Sequence, residues 1–209
     1  RRDCISAFYK RYRYEYFPLP GMRLIKGRGT NICPAFQQGF FVRECKMETG
    51  YFYYITDEYY NKFANCALMG NKESDISGKH GRPCYYCFEY NGLYWMIPIS
   101  SRVEKYQKLY DQKMERYKGS YDGIRFGFVN GQKRAFLIQN LCPVTEKYIV
   151  CQYKIEKDTV PVSVNDKLSK ELNTIVRKVL RFYYEKGVKI IMTDLDTILE
   201  KLKSELLEV

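Results

Sequence analysis

Ser100 and Ser101, followed by Arg102 and Lys105, form the most chemically suggestive run in the sequence. They stand where an apolar stretch ends and a charged amphipathic stretch begins. A helix starting there offers free backbone N–H groups, and with two hydroxyls and two cations beside them such a site suits a phosphate. The same residues also suit plain capping, with Ser101 as N-cap and Glu104 three positions on completing a capping box. Gln139 and Asn140 end a later apolar stretch and are followed by Pro143-Val144-Thr145-Glu146-Lys147. Their amides can read bases or position a phosphate, and a turn at a strand end explains them equally well.

Other chemistries find less support. His80, the lone histidine, sits in Gly78-Lys79-His80-Gly81 and reads either as a general base or as an ordinary loop residue. There is no phosphate-binding P-loop, no HExxH, no GxSxG and no dinucleotide fingerprint. Asp194 and Asp196 fall at a helix start, where the helix dipole accounts for them without a metal. Cys84-Tyr85-Tyr86-Cys87 has zinc-knuckle spacing, but no second pair follows, and a structural zinc needs four ligands. These cysteines are expected to pack in a strand, and neither metal nor cofactor is called for.

The chain of 209 residues is long enough for one domain with a real core. Its formal charge of +11 favours a polyanionic partner. The excess is uneven. Residues 1–46 carry 10 Lys/Arg against 3 acids, a net +7, and the remaining residues carry a net +4. The eight cysteines, with no signal peptide and no long apolar run, suggest reduced thiols in the cytoplasm rather than a disulfide framework. Tyrosine is abundant, 21 residues beside 12 Phe, and suits both sheet surfaces and base stacking.

The elements that must hold these groups can be placed. Residues 1–46 show no sustained period and read as a basic extension outside the folded domain. Tyr51–Ile55 reads as a strand, and Thr56 or Asp57 caps a helix expected to reach about Met69. Pro83–Tyr90 and Leu93–Ile99 flank Asn91-Gly92, and Asp122–Val129 and Arg134–Asn140 flank Asn130-Gly131; both pairs predict hairpins with type I′ turns. A helix is expected from Arg102 to about Tyr117. Pro143–Tyr153 is irregular and then extended. Asn165 caps a helix to Lys186 with Gly187 as its stop. Val188–Met192 is β-rich, and Thr193 or Asp194 caps a last helix to about Leu206. Hairpins with helices between them indicate an α+β domain on an antiparallel sheet.

Several stretches, taken together and in order, resemble the ToxN/AbiQ family of type III toxin–antitoxin endoribonucleases, in its CptN-like branch. They are Phe52-Tyr53-Tyr54-Ile55 with Tyr59, Gly81-Arg82-Pro83, Ile97-Pro98-Ile99-Ser100-Ser101-Arg102-Val103-Glu104-Lys105-Tyr106, Phe136-Leu137-Ile138-Gln139-Asn140 with Pro143-Val144-Thr145-Glu146-Lys147-Tyr148, and Gly187-Val188-Lys189-Ile190-Ile191. The resemblance covers about residues 47–207. It implies a compact, strongly bent antiparallel sheet with flanking helices, like that of the Kid/MazF toxins. It also implies metal-free RNA cleavage by the 2′-hydroxyl, leaving a 2′,3′-cyclic phosphate and a 5′-hydroxyl.

Carried over by position, Tyr59, Ser100, Ser101 and Lys105 are the implied catalytic residues. Ser101 would contact the scissile phosphate, Lys105 or Arg102 would offset charge, and Tyr59 would position or protonate the leaving group. The implied inhibitor is a repetitive pseudoknotted RNA, which the toxin cuts into units and with which it assembles into a closed ring or hetero-oligomer. A groove for such RNA, or for cellular or phage RNA, is expected to draw on Arg82, Arg102, Lys108, Lys113, Arg116, Gln139, Asn140, Lys147, Lys170, Arg177, Lys178 and Arg181. In such loci RNA repeats lie directly upstream of the toxin, so residues 1–46 are read as that upstream DNA in frame, with Met47 as the start. A non-catalytic RNA-binding module is the competing reading.

Overall fold

The computed structural model describes residues 47–71, 81–155 and 159–207. The basic extension 1–46 and the loop carrying His80 lie outside the described residues. The architecture is α+β, built on one antiparallel sheet. Its strands are β1 (Phe52–Ile55), β2 (Cys84–Tyr90), β3 (Leu93–Ser100), β4 (Arg125–Val129), β5 (Gln132–Phe136), β6 (Cys142–Val144) and β7 (Ile149–Gln152). They run in the order β4-β5-β3-β2-β1-β7, with β6 also paired to β3. A two-stranded ribbon of β8 (Lys154–Ile155) and β9 (Val160–Pro161) stands beside it.

Both Asn-Gly turns form as expected. Asn91 and Gly92 have φ of 53° and 72°, and Asn130 and Gly131 have 48° and 72°. Two successive positive φ values are what a type I′ turn needs, and Asn followed by Gly meets that need with little strain.

Strand β3 organises the sheet because its far side is shared by two partners. Tyr94–Met96 pair with β6 and Ile99–Ser100 pair with β5. Between those two segments the partner chain leaves the ladder through a 3₁₀ turn at Ile138–Asn140. Pro98 stands at that interruption. Its carbonyl accepts from Leu137 N at 3.0 Å, and having no N–H it leaves no orphan donor facing the gap.

The near side of β3 is closed at its end by a side chain. Arg82, almost fully buried, donates from Nη1 to Ile99 O at 2.6 Å and from Nε to Gly70 O at 3.1 Å. Its own backbone N–H donates to Asn71 Oδ1 at 3.0 Å. A Cβ at Gly81 would stand 2.2 Å from that same oxygen, so glycine makes room for the contact.

Among the described residues four helices flank the sheet: α1 (Asp57–Lys62), α2 (Val103–Arg116), α3 (Asp166–Lys186) and α4 (Leu195–Leu207). In α3 the Asn165 side chain accepts from Leu168 N at 2.8 Å, and Gly187 ends the helix at φ 61°. Its stripe of Leu168, Leu172, Ile175, Val176, Val179, Leu180 and Phe182 is buried. Leu168 reaches β4 because Gly127 has no side chain; a Cβ there would meet Leu168 Cδ2 at 2.2 Å. Helix α2 packs on β5 through a second cluster of Tyr106, Tyr121, Ile124, Ala135 and Leu137.

Three expectations are corrected. Helix α1 stops at Lys62 instead of about Met69, because Phe63 and Cys66 turn into the core and Ala67 takes a left-handed φ of 53°. Val188–Met192 forms no strand; Met192 N donates instead to Gln139 O at 2.6 Å. Ser101 builds no capping box, since α2 begins at Val103 behind Arg102 with no side-chain cap. Cys84 and Cys87 are both buried in β2, and burial pushes the Cys87 thiol well up. Among the described residues no helix is long and apolar enough to cross a membrane.

Helix α4 is tied down by Glu205, which accepts from Tyr148 Oη at 2.9 Å, forms an ion pair with Lys147 Nζ at 2.8 Å and also pairs with Lys62. Burial alone would raise its carboxyl; the bonds from Lys147, Lys62 and Tyr148 outweigh that and hold it below the usual range. A depressed carboxyl stabilises above its unfolded pKa and loses that contribution as pH falls through the folded value. Glu205→Gln is therefore expected to cost about 1 kcal/mol at neutral pH, with the two proteins converging below about pH 4. Urea titrations across that range would check it. Arg82→Leu leaves the buried Ile99 carbonyl without its donor and frees the part-buried Gly70 carbonyl, and it is expected to lower stability by about 1 to 3 kcal/mol, read from the same titrations.

Candidate RNA-cleaving site

A strand's side chains alternate between faces, so adjacent residues part company at the end of β3. Ser100 is 2 % exposed, and its Oγ accepts from Arg102 N at 3.2 Å. Ser101 is exposed and opens into a cleft of roughly 270 Å³. The two hydroxyls thus do different work: one holds the entry to α2, the other is free to meet a ligand.

The rest of the cleft is set by register. Ile99 stands opposite Phe136 and Ser100 opposite Ala135, and the next residues beyond that ladder, Ser101 and Arg134, both line the cleft. Pro83 and Ile99 supply apolar lining, Val129, Asn130, Gln132 and Arg134 come from the β4–β5 hairpin, and Tyr153 follows β7. Arg134 Nη2 donates to Gln132 Oε1 at 2.5 Å. Tyr153 is placed edge-on to Phe52 and Tyr54, with ring centres 6.5 and 5.6 Å away, and its backbone N–H donates to Phe52 O at 2.7 Å.

Tyr59 stands apart from this cleft. It is fully buried, its hydroxyl donates to Pro143 O at 2.6 Å, and its ring packs on Phe63 and Tyr148. Burial drives its hydroxyl well above the ordinary tyrosine value, with the nearby Cys142, Cys84 and Cys66 thiols adding to it. In this structure it anchors β6 to α1, and a substrate oxygen has no path to it. Lys105, on the first turn of α2, is exposed with its ammonium 5.7 Å from the Tyr106 ring centre, and it does not line the cleft.

The cations expected to bind RNA divide into two groups. Lys178 is spent on buried Asp122 at 2.8 Å, which also holds Arg125. Lys147 pairs with Glu205, and Arg181 lies 4.0 Å from Glu185. Arg82 closes β3 from within the core. Gln139 is likewise structural: its amide oxygen accepts from Tyr121 Oη at 2.5 Å and its backbone N–H donates to Gly123 O at 2.8 Å. Asn140 lies half-buried in the 3₁₀ turn. The second group is open. Among the described residues Arg102, Lys105, Lys108, Lys113, Arg116, Lys170 and Arg177 pair with no carboxylate, though Arg177 rests 4.0 Å over Phe88 and Arg116 5.8 Å over Tyr117.

Sequence reasoning missed Arg134, Asn130, Gln132 and Tyr153. The Asn130-Gly131 signal gave their hairpin, but nothing local announces that β5 pairs with β3 and so carries Arg134 to Ser101.

No family model matches the sequence, and no curated protein matches it. Among solved structures, that of AbiQ, a lactococcal anti-phage endoribonuclease belonging to the type III toxin–antitoxin system, is similar at 16 % identity and a TM-score of 0.54. The match covers 76 % of this chain and 99 % of AbiQ. The chain thus has the antiparallel α+β fold of AbiQ, as the sequence resemblance implied.

Proposed function

We propose that this chain is the toxin of a type III toxin–antitoxin system, a sequence-specific endoribonuclease working without a metal. The carrying observation is the Ser101 cleft, where an exposed hydroxyl at a strand end shares the lining with an arginine that pairs with no carboxylate among the described residues, on a fold shared with AbiQ.

In this reading the RNA's own 2′-oxygen attacks the adjacent phosphorus. The P–O5′ bond breaks as the new P–O2′ bond forms, leaving a 2′,3′-cyclic phosphate and a 5′-hydroxyl. The proton lost by the 2′-hydroxyl is matched by one gained at the 5′-oxygen. The protein supplies no nucleophile; it aligns the attack and meets the negative charge that grows on the phosphate. Ser101 donates to a non-bridging oxygen, and Arg102 and Lys105 lend charge from the start of α2. Ser100 and Tyr59 act as positioning residues, through the Arg102 N–H and the Pro143 carbonyl. The exposed cations of α2 and Arg177 form the binding surface for substrate and for a repetitive pseudoknotted RNA, which the toxin cuts into units and which inhibits it within an RNA-bridged assembly.

A denaturing gel of a long RNA incubated with the full chain in EDTA tests the reaction. The expected result is fragments with 5′-hydroxyl ends, slowed about a hundredfold or more by Ser101→Ala. RNA left intact while the protein shifts it on a native gel would identify a binding module instead. Replacing Lys105, Lys108 and Arg116 together by Gln is expected to flatten the plot of log affinity against log salt by about 2, at roughly 0.7 per phosphate contact. Lys178→Gln is expected to leave that slope unchanged, because Asp122 already neutralises it.

A further inference from the structure

We propose that the cleft beside Ser101 is a single-nucleotide subsite in which Arg134 holds the scissile phosphate while Asn130 and Gln132 read the base lying against Tyr153. The inference rests on the ribonuclease reading above, and it makes the β4–β5 hairpin the element that sets where the RNA is cut.

Arg134 differs from the other partly buried cations. Lys178 and Arg125 are neutralised by Asp122, and Glu171 also lies 3.4 Å from Arg125. Arg134 lies in no such pair among the described residues; its one hydrogen bond goes to the neutral Gln132 amide. A guanidinium has five N–H donors in a planar fork, so a single bond to Gln132 fixes its plane and leaves donors for a phosphate. The β3–β5 ladder ends one residue before Ser101 and one residue after Arg134, so a hydroxyl donor and a guanidinium line the same cleft, which is how two groups address one phosphate.

The remaining lining suits a base. Tyr153 offers an aromatic surface whose orientation is set by Phe52 and Tyr54 on one side and by its backbone bond to Phe52 on the other. Stacking on such a ring tolerates any base, so choice must come from polar edges. Asn130 and Gln132 supply them. The Gln132 carbonyl is already taken by Arg134 and presents its NH₂ group, whereas Asn130 keeps both donor and acceptor. Asn130 is held at φ 48° by the type I′ turn, so its amide projects from a fixed backbone instead of a mobile loop. At roughly 270 Å³ the cleft lies just below the roughly 300–1,000 Å³ of pockets for drug-sized ligands, a scale that suits a single nucleotide.

The test uses the full chain with a pool of random-sequence single-stranded RNA, sequencing the 5′-hydroxyl ends and following rates on the best substrate. Thermal unfolding of each variant checks that it folds. Arg134→Ala is expected to slow cleavage about a hundredfold, with Arg134→Lys recovering part of the loss. Asn130→Asp keeps a residue that tolerates the left-handed backbone but exchanges an N–H donor for an acceptor. It is expected to change the preferred base at one position beside the cut. Tyr153→Leu is expected to weaken RNA binding about tenfold. Wild-type rates for Arg134→Ala together with an unchanged cut motif for Asn130→Asp would overturn the subsite while leaving the ribonuclease standing. RNA left intact by the wild-type chain would overturn the ribonuclease. The cutting role of the subsite would fall with it, while nucleotide binding there would stand if Tyr153→Leu and Arg134→Ala still weaken binding about tenfold, and fall if they bind as the wild type does.

Discussion

The far edge of β3 cannot be satisfied by one neighbour, and much of the structure follows from how that edge is shared. Three residues of β6 serve one half and two residues of β5 the other. The chain between them must leave the sheet and return, which it does through the 3₁₀ turn at Ile138–Asn140. That detour buries Ile138 and Gln139 and gives Met192 a carbonyl to bond, so the segment before α4 is fastened without a strand of its own. It also frees the end of β3 to pair with a hairpin that projects past it. The hairpin is what gives the cleft a wall.

Charge is apportioned by the same geometry. A domain with a modest net positive charge can spend its cations on folding or on a ligand, and only the structure tells which. Buried Asp122 and half-buried Glu205 are acids around which cations gather, and each collects more than one. Among the described residues, the RNA-binding candidates left without a carboxylate lie on α2, at the start of α3 and over Phe88, and Arg134 joins them beside Ser101. Lysines that looked equivalent as letters thus separate into fasteners and contacts.

Local signals were legible and non-local ones were not. Both Asn-Gly turns, the Asn165 cap and the Gly187 stop were readable because each is decided within a few residues. Asp194 likewise caps its helix, accepting from Thr197 N at 3.3 Å. Helix α1 read too long because the pull of Phe63 and Cys66 into a distant core outweighs a short helix's propensity. Ser101 read as a capping residue because the pattern Ser-x-x-Glu carries no record of where a strand stops. Residue type and spacing already singled out the serines and the α+β class, and the family resemblance agreed with both. That resemblance also supplied Tyr59, whose burial under β6 depends on contacts 84 positions away. Arg134 was invisible for the same reason: its neighbour is more than 30 positions upstream.

Pro98 carries a consequence for how this chain can diverge. A strand that slips by one residue exchanges its faces, and here that would send Ser101 inward and Ser100 outward. A slip would also move the imino residue out of the interruption and against a carbonyl expecting a donor. Pro98 therefore acts as a register pin, and the interval from Pro98 to Ser101 is a fixed ruler rather than a spacer. Insertions are affordable in the β2–β3 turn, where nothing downstream is measured from them. Within those four residues, a single insertion would silence the cleft while leaving the core's composition unaltered.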